Sequence, residues 1–347
     1  MPYRRKKLYT EIHKTRYSRN PYFIGRKRVY GRLFPDNSDR TGRKRMEVRN
    51  GTGSIIFSAI SFSIILFLFI SYGGPLNTTL FRVYLSQASV ICFAVLGSII
   101  IYATGGLDLA SGGQIYVGMI VFSFCIAQWH LSLPAAILLL AVFSVMLSLL
   151  HLLFSTALGI NTVIYTLALQ VIFTGAGNLL LPYAAAGGGL YGIVPENTAG
   201  GMPLRFVIWA GVMAFFSAYL RFTATGRSFT IAHILTSFPD TDSLHRKVCR
   251  ISLLAASLLF SFSSVFLFSR MHGYPVQISS DYSYDVLAAM FLGGCSFRHM
   301  VRSAITGSIA IVLLNAVLLF TGLSVPMESL IKAAIVFIGC WLSQKES

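Results

Sequence analysis

One acidic residue stands between two long apolar stretches of the sequence and is surrounded by glycines. Asp108 lies within the segment Ala103–Gly113, and each flanking apolar run is long enough to cross or nearly cross a bilayer. A carboxylate and freed backbone amides are costly there, because the bilayer interior offers no water to solvate them. The glycines that release the backbone from helical geometry are Gly105, Gly106, Gly112 and Gly113.

This segment predicts a broken helix that lines a solute path through a membrane transporter. We expect the second half-helix to direct the positive end of its dipole at a cavity, and Ser111 to cap the helix that restarts at Gln114. The alternative is a tight loop at the membrane edge, in which Asp108 and Ser111 are ordinary capping residues.

The composition excludes a soluble domain. Of 347 residues, 55% are hydrophobic and only 12% are charged, whereas a soluble domain carries about 25% charged residues. The chain lacks a Gly-x4-Gly-Lys-Ser/Thr phosphate loop, a Gly-x-Ser-x-Gly elbow and a His-Glu-x-x-His motif, so we expect neither an enzyme nor an ATPase. No cofactor, metal site or disulfide is expected from the five scattered cysteines, Cys92, Cys125, Cys249, Cys295 and Cys340.

The positive charge is concentrated at the N-terminus. Residues 1–50 hold 16 Lys or Arg against four acidic residues, which predicts a basic cytoplasmic tail. We expect this tail to lie against anionic membrane lipid rather than to bind nucleic acid. A second basic cluster lies in or beside residues 222–250, which we predict to be the main cytoplasmic loop; it comprises Arg221, Arg227, Arg246, Lys247 and Arg250.

Hydropathy predicts an all-α polytopic membrane protein with about ten transmembrane or broken helices and both termini in the cytoplasm. Residues 51–347 form one predicted membrane domain. The predicted segments are 54–72, 83–102, 114–128, 135–157, 162–181, 203–219, 251–269, 285–292, 304–320 and 327–342. Residues 285–292 are too few to span alone and are expected to form a re-entrant or broken element.

Two glycine-rich motifs resemble a known family. Gly106-x-Asp108-Leu109-x-x-Gly112 resembles the Gly-Ile-Asp-Leu-Ser-Val-Gly signature of ribose-type, monosaccharide permeases from bacterial ABC importers. Asp285-x-x-Ala288-Ala289-x-x-x-Gly293-Gly294-x-Ser296 resembles their Asp-Ala-Ile-Ala-Ala-Val-Val-Leu-Gly-Gly-Thr-Ser. Leu314-Asn315, Gly322-Leu323-Ser324 and Lys332 fit the last two spans, and the order of segments agrees across residues 54–342.

The chain also departs from that family. Only Gly226-Arg227 remains of the family's cytoplasmic motif, and Pro239 follows where a helix might run. Arg298-His299-Met300-Val301-Arg302 replaces glycines after Ser296. The stretch Gly113–Gly118 is closer to the related nucleoside permeases.

The resemblance implies the pore-forming subunit of an ABC importer in a bacterial inner membrane. Its partners would be ATP-binding subunits, a second permease copy or paralogue, and an external solute-binding protein. Its cargo would be a monosaccharide or related small polar solute; the alternatives are a nucleoside or other vitamin-like cargo in the same kind of importer, and a secondary transporter.

The predicted path residues are Gly105, Gly106, Asp108, Ser111, Gly112, Asn178, Asp285, Gly293, Gly294, Ser296 and Asn315. For Asp285 and Asn315 the alternative role is helix capping or hydrogen bonding between helices. Gln170 and His151 are interpreted mainly as polar links between neighbouring helices. The predicted ATPase-coupling residues are Gly226, Arg227, Ile231, His233, Thr236, Ser237 and Asp240.

Overall fold

Every regular element in the described part of the chain is helical. The computed structural model describes residues 52–71, 78–157, 161–185, 204–235, 242–271, 281–297 and 299–346; the predicted basic tail lies outside them. Eleven α-helices occupy these ranges: α1 (Thr52–Ser71), α2 (Thr78–Ala103), α3 (Ser111–Ala127), α4 (Leu133–Leu152), α5 (Thr162–Ala185), α6 (Leu204–Phe222), α7 (Ala224–Leu235), α8 (Asp242–Arg270), α9 (Asp281–Leu292), α10 (Met300–Thr321) and α11 (Val325–Glu346). A π-helical turn, Leu153–Ala157, follows α4.

Five of the described helices are long and apolar enough to cross a membrane, namely those at Leu80–Ala103, Leu133–Ser155, Thr162–Ala184, Arg246–Arg270 and Met300–Thr321. A sixth candidate is the pair α6 and α7, if it counts as one bent span. Shorter apolar helices are found at Ile56–Ser71, Ser111–Ala127 and Tyr282–Leu292. The chain is therefore a multi-pass membrane protein, while the number of about ten crossings and the location of the termini stay predictions.

Helix α2 lies at the centre of the bundle. In its most apolar window 78% of the residues are buried, against 22% in α4. It packs against α8, α10, α9 and the corner formed by α6 and α7. Phe93 of α2 contacts the rings of Phe262 and Phe266 in α8. Helices α4 and α5 leave apolar side chains exposed, such as Leu138 and Ile164, as helices at the edge of a membrane bundle do.

Helices α9 and α10 meet at two glycines. A Cβ atom on Gly293 would lie 2.0 Å from the carbonyl oxygen of Ser303, and one on Gly307 would lie 2.0 Å from that of Ala289. Both distances are far below van der Waals contact, so the two backbones touch where a side chain would separate them. The connecting turn has Gly294 at φ 80°, a conformation that glycine adopts without steric cost.

The region 222–250, predicted to be a loop, is helical over much of its described part. Helix α7 leaves α6 at an angle of 85°. Thr223 sits at the corner, where its Oγ1 accepts a hydrogen bond from the amide of Gly226 at 3.0 Å, as an N-cap residue does. Helix α8 begins at Asp242 rather than at the predicted residue 251. Hydropathy missed this extension because its side chains Arg246, Lys247 and Arg250 are polar and mostly exposed.

Candidate functional site

The predicted interruption around Asp108 is present. Helix α2 ends at Ala103, residues 104–110 are not helical, and α3 begins at Ser111. The chain leaves α2 through a turn in which the amide of Gly105 bonds to Tyr102 and Gly105 adopts φ 88°. Gly106 is buried, and a Cβ atom there would meet Thr162 of α5 at 3.0 Å. The interruption therefore uses one glycine for its turn and another for close approach to α5.

One face of α5 supports the interrupted segment along its length. Gly106 lies beside Thr162, and Thr166 Oγ1 contacts the carbonyl oxygen of Leu107 at 3.5 Å. The amide of Gly113 donates to Gln170 Oε1 at 2.7 Å. These three side chains follow at intervals of four residues, so they share one helical face. With a rise of about 1.5 Å per residue, the segment climbs about 12 Å along α5.

The start of α3 differs from the prediction. The helix begins at Ser111 rather than at Gln114, so Ser111 is not its N-cap. Just before the helix, Asp108 Oδ1 accepts a hydrogen bond from the amide of Ala110 at 2.8 Å. The amide of Gly112 donates to Ser283 Oγ of α9 at 3.1 Å. A Cβ on Gly112 would lie 2.4 Å from that oxygen, so glycine is what admits a cap from another helix. These first amides thus bind protein side chains rather than face an open cavity.

Several buried polar atoms beside the interruption have no hydrogen-bond partner among the described residues. They are Asp108 Oδ2, Ser111 Oγ, and both ring nitrogens of His151. Asp108 is 2% exposed and His151 is 3% exposed, and the two interact electrostatically. Leaving such groups unpaired is costly. A carboxylate oxygen, a hydroxyl and an imidazole therefore remain available at the break to bind a polar ligand or water.

His151 belongs to the candidate site, although the sequence interpretation did not place it among the path residues. Our expectation was a polar link between helices, but its imidazole instead packs against aromatic rings, with centroid distances of 5.9 Å to Tyr165 and 6.3 Å to Phe173. Tyr165 also interacts electrostatically with Asp108. The only signal in the sequence was a lone histidine near the end of an apolar run. The expectation for Gln170 was correct, because it joins α5 to α3.

Asp285 and Asn315 form a second polar cluster. Lys332 Nζ of α11 lies 2.7 Å from Asp285 Oδ1, and Asn315 Nδ2 of α10 donates to Asp285 Oδ2 at 3.2 Å. Asp285 and Lys332 are both buried. The cluster joins α9, α10 and α11, which fits the alternative of hydrogen bonding between helices.

The other predicted path residues lie in different surroundings. Asn178 is on an exposed part of α5 and accepts a hydrogen bond from Tyr116 of α3 at 2.9 Å. The amide of Ser296, in the turn after Gly293 and Gly294, donates to Ser303 Oγ at 3.1 Å. Asp108 has another set of neighbours, which includes Ala110, His151 and Tyr165.

The predicted coupling residues are partly described. Gly226 and Arg227 lie in the first turn of α7, with Gly226 buried and Arg227 exposed. A Cβ on Gly226 would lie 2.5 Å from the Cα of Leu220, so the corner requires a residue without a side chain. Ile231 and His233 belong to α7. Thr236, Ser237 and Asp240 lie outside the described residues.

The fold and the break define a multi-pass membrane protein with a helix interrupted at a buried carboxylate. A protein-family model described as branched-chain amino acid transport system / permease component matches residues 81–339. The chain belongs to this family, which makes it an ABC transporter permease component and confirms the resemblance drawn from its motifs. No curated protein and no solved structure matches it.

Proposed function

We propose that this chain is the pore-forming subunit of an ABC importer in a bacterial inner membrane, and that it carries a monosaccharide or related small polar solute. Separate ATP-binding subunits would supply the energy, and an external solute-binding protein would deliver the cargo to this chain and a second permease copy or paralogue. The observation that carries the proposal is the set of unpaired polar atoms beside the interrupted helix, at Asp108, Ser111 and His151.

The chemistry of these groups suits a cargo rich in hydroxyl groups. A carboxylate oxygen accepts hydrogen bonds, and a serine hydroxyl both donates and accepts. A neutral imidazole offers one donor and one acceptor. A few polar groups are enough to bind the cargo in the path, because the external protein captures it and the path must release it again.

The corner between α6 and α7 supports a route for energy from the ATPase. The Thr223 cap and the close contact of Gly226 with Leu220 hold the two helices at a fixed angle. Helix α7 also packs against α8 and α2, and α2 ends at the interruption. In the proposed cycle, closure of the ATPase pair pushes α7, and these rigid helices carry the motion to the segment 104–110.

Uptake into vesicles tests this function and its alternatives. The chain is co-reconstituted with a candidate ATP-binding subunit and a candidate solute-binding protein from the same genome, and labelled ribose, adenosine and leucine are offered in turn. Leucine is included because the family's description names branched-chain amino acids. We expect ATP-dependent uptake of ribose or a related sugar. If only adenosine or only leucine is taken up, that compound rather than a sugar is the cargo. Ion-driven uptake by the chain without an ATPase would indicate a secondary transporter.

Substitution at the break tests whether this site serves the transport. Asp108→Asn removes the charge of an acceptor, and hydrogen bonds to charged groups contribute about 1.5–3 kcal/mol, so we expect uptake to fall by about tenfold or more. The matched control is Ser144→Ala, a buried polar change at the contact between α4 and α8, where Ser144 bonds to Ser261. Equal uptake by both variants and the parent would contradict a role for Asp108.

A further inference from the structure

A cleft opens beside the corner of α6 and α7. It has a volume of about 660 Å³ and lies between that corner and residues 297 and 299–306, which include the start of α10. Three arginines line it, Arg221, Arg227 and Arg302. They come from the end of α6, the start of α7 and the first turn of α10. The proposed coupling of α7 does not account for the arginines of the other two helices.

The cleft is strongly cationic. All three arginines are exposed, and no acidic side chain is among the described residues that line the cleft. Like charges brought together repel, and that repulsion is relieved when an anion binds among them. The planar guanidinium group matches the oxygens of a phosphate, often with two parallel hydrogen bonds. Thr230 and Thr306 also line the cleft; the Thr306 hydroxyl donates to the carbonyl oxygen of Arg302 at 3.0 Å.

Much of the remaining wall is apolar, although Ser217 and His299 also line it. Leu220, Met300, Val301 and Ile305 contribute side chains to it. At the end of α6, next to Arg221 of the cleft, the apolar side chain of Phe222 is 74% exposed, as a side chain in contact with lipid would be. An apolar wall beneath a basic rim fits an amphiphile with an anionic head. Basic pockets between membrane helices on the cytoplasmic side bind such headgroups, and the density of arginine and lysine at this end assigns it to the cytoplasm.

We infer that this cleft binds the phosphate headgroup of an anionic phospholipid. The headgroup contacts Arg221, Arg227 and Arg302 together, and it thereby joins the α6–α7 corner to α10. The glycerol and the first methylenes of the chains lie on the wall formed by Leu220 and Ile305. This site is distinct from the expected attraction between the basic tail and lipid, because it is built by three helices.

Native mass spectrometry of the full-length chain tests the site. The chain is purified in detergent and given phosphatidylglycerol, cardiolipin or phosphatidylcholine at equal concentrations. We expect one anionic lipid to be retained at activation energies that strip phosphatidylcholine. In the variant Arg221→Gln with Arg302→Gln, retention should fall by about tenfold or more, since each lost charge-assisted bond contributes about 1.5–3 kcal/mol.

The matched control removes two exposed arginines that do not line the cleft. The variant Arg246→Gln with Arg250→Gln has the same net charge as the cleft variant and keeps the basic tail, so we expect it to retain the lipid. Thermal unfolding of both variants in phosphatidylcholine checks that they fold alike. If the cleft variant fails to fold, the pair Arg221→Lys and Arg302→Lys replaces it, with weaker but charge-dependent retention expected.

Three results would overturn the inference. Equal loss of lipid in the cleft and control variants would show that the attraction is diffuse. Saturation of the cleft by inorganic phosphate or ATP, with no anionic lipid retained, would assign it to a soluble phosphate. Loss of the lipid on assembly with the ATP-binding subunit would assign the cleft to protein contact.

Discussion

The ion pair between Asp285 and Lys332 separates a structural role of the second cluster from a role in the path. Its charged atoms lie 2.7 Å apart and both residues are buried. At an effective dielectric constant of about 20, the attraction over that distance is about 6 kcal/mol. The loss of hydration of two buried charges largely offsets this gain. The net effect of the intact pair is therefore small, whereas one partner left alone is costly.

The single variants Lys332→Met and Asp285→Asn should each destabilise the chain by about 3–5 kcal/mol, because each leaves one buried charge without its counterion. The double variant, which removes both charges, should lie within about 1 kcal/mol of the parent. These changes in stability are measured by heating the detergent-purified chain and following the loss of its monodisperse peak in size-exclusion chromatography. For each single variant we expect the apparent Tm to fall by about 10 °C.

Uptake by the same variants completes the test. If the cluster only joins α9, α10 and α11, the double variant transports at a rate close to the parent's. A double variant as unstable as either single variant would refute the electrostatic reasoning. A double variant that is stable yet inactive would show that the carboxylate of Asp285 acts in the path.

Three further predictions concern contacts that hold the helices in place. Gly307→Ala should lower stability by about 1–3 kcal/mol or more, because its Cβ would overlap the Ala289 carbonyl. The control is Gly175→Ala, where a Cβ would meet no described atom within 4 Å; it should leave the Tm unchanged or raised. Gln170→Ala should cost about 1–3 kcal/mol by leaving the Gly113 amide unpaired, and an unchanged Tm would contradict that cap. Thr223→Ala should cost about 1 kcal/mol and reduce ATP-coupled uptake, whereas Thr223→Ser, which keeps the hydroxyl, should restore both. Equal behaviour of the two variants would contradict the role of the Thr223 cap in coupling.

The sequence was sufficient to predict the interruption itself. A carboxylate with glycines between two apolar runs has few stable arrangements in lipid, and the observed break from residue 104 to 110 follows from that constraint. For helices α2, α5 and α10, most of the ends were also predicted to within a few residues. Long apolar runs leave little freedom of assignment.

The caps of α3 could not be predicted, because they come from distant parts of the chain. Gln170 and Ser283 lie 57 and 171 residues from the glycine amides that they bind, and only packing brings them there. For the same reason the prediction placed the cap on Ser111, the nearest hydroxyl in sequence. Helix α7 was missed for a different reason: it leaves α6 at 85°, so its residues do not continue an apolar span.

The central claim is that the segment at Asp108 becomes open to water during transport driven by other polypeptides. The direct measurement is thiol labelling of Ser111→Cys by a charged, membrane-impermeant reagent, in a transport-active chain whose five natural cysteines are replaced. Ser144→Cys, also buried, is the negative control, and Arg246→Cys the positive one. We predict that position 111 reacts in at least one nucleotide state while position 144 reacts in none. Protection of position 111 in every state of an active transporter would contradict the account.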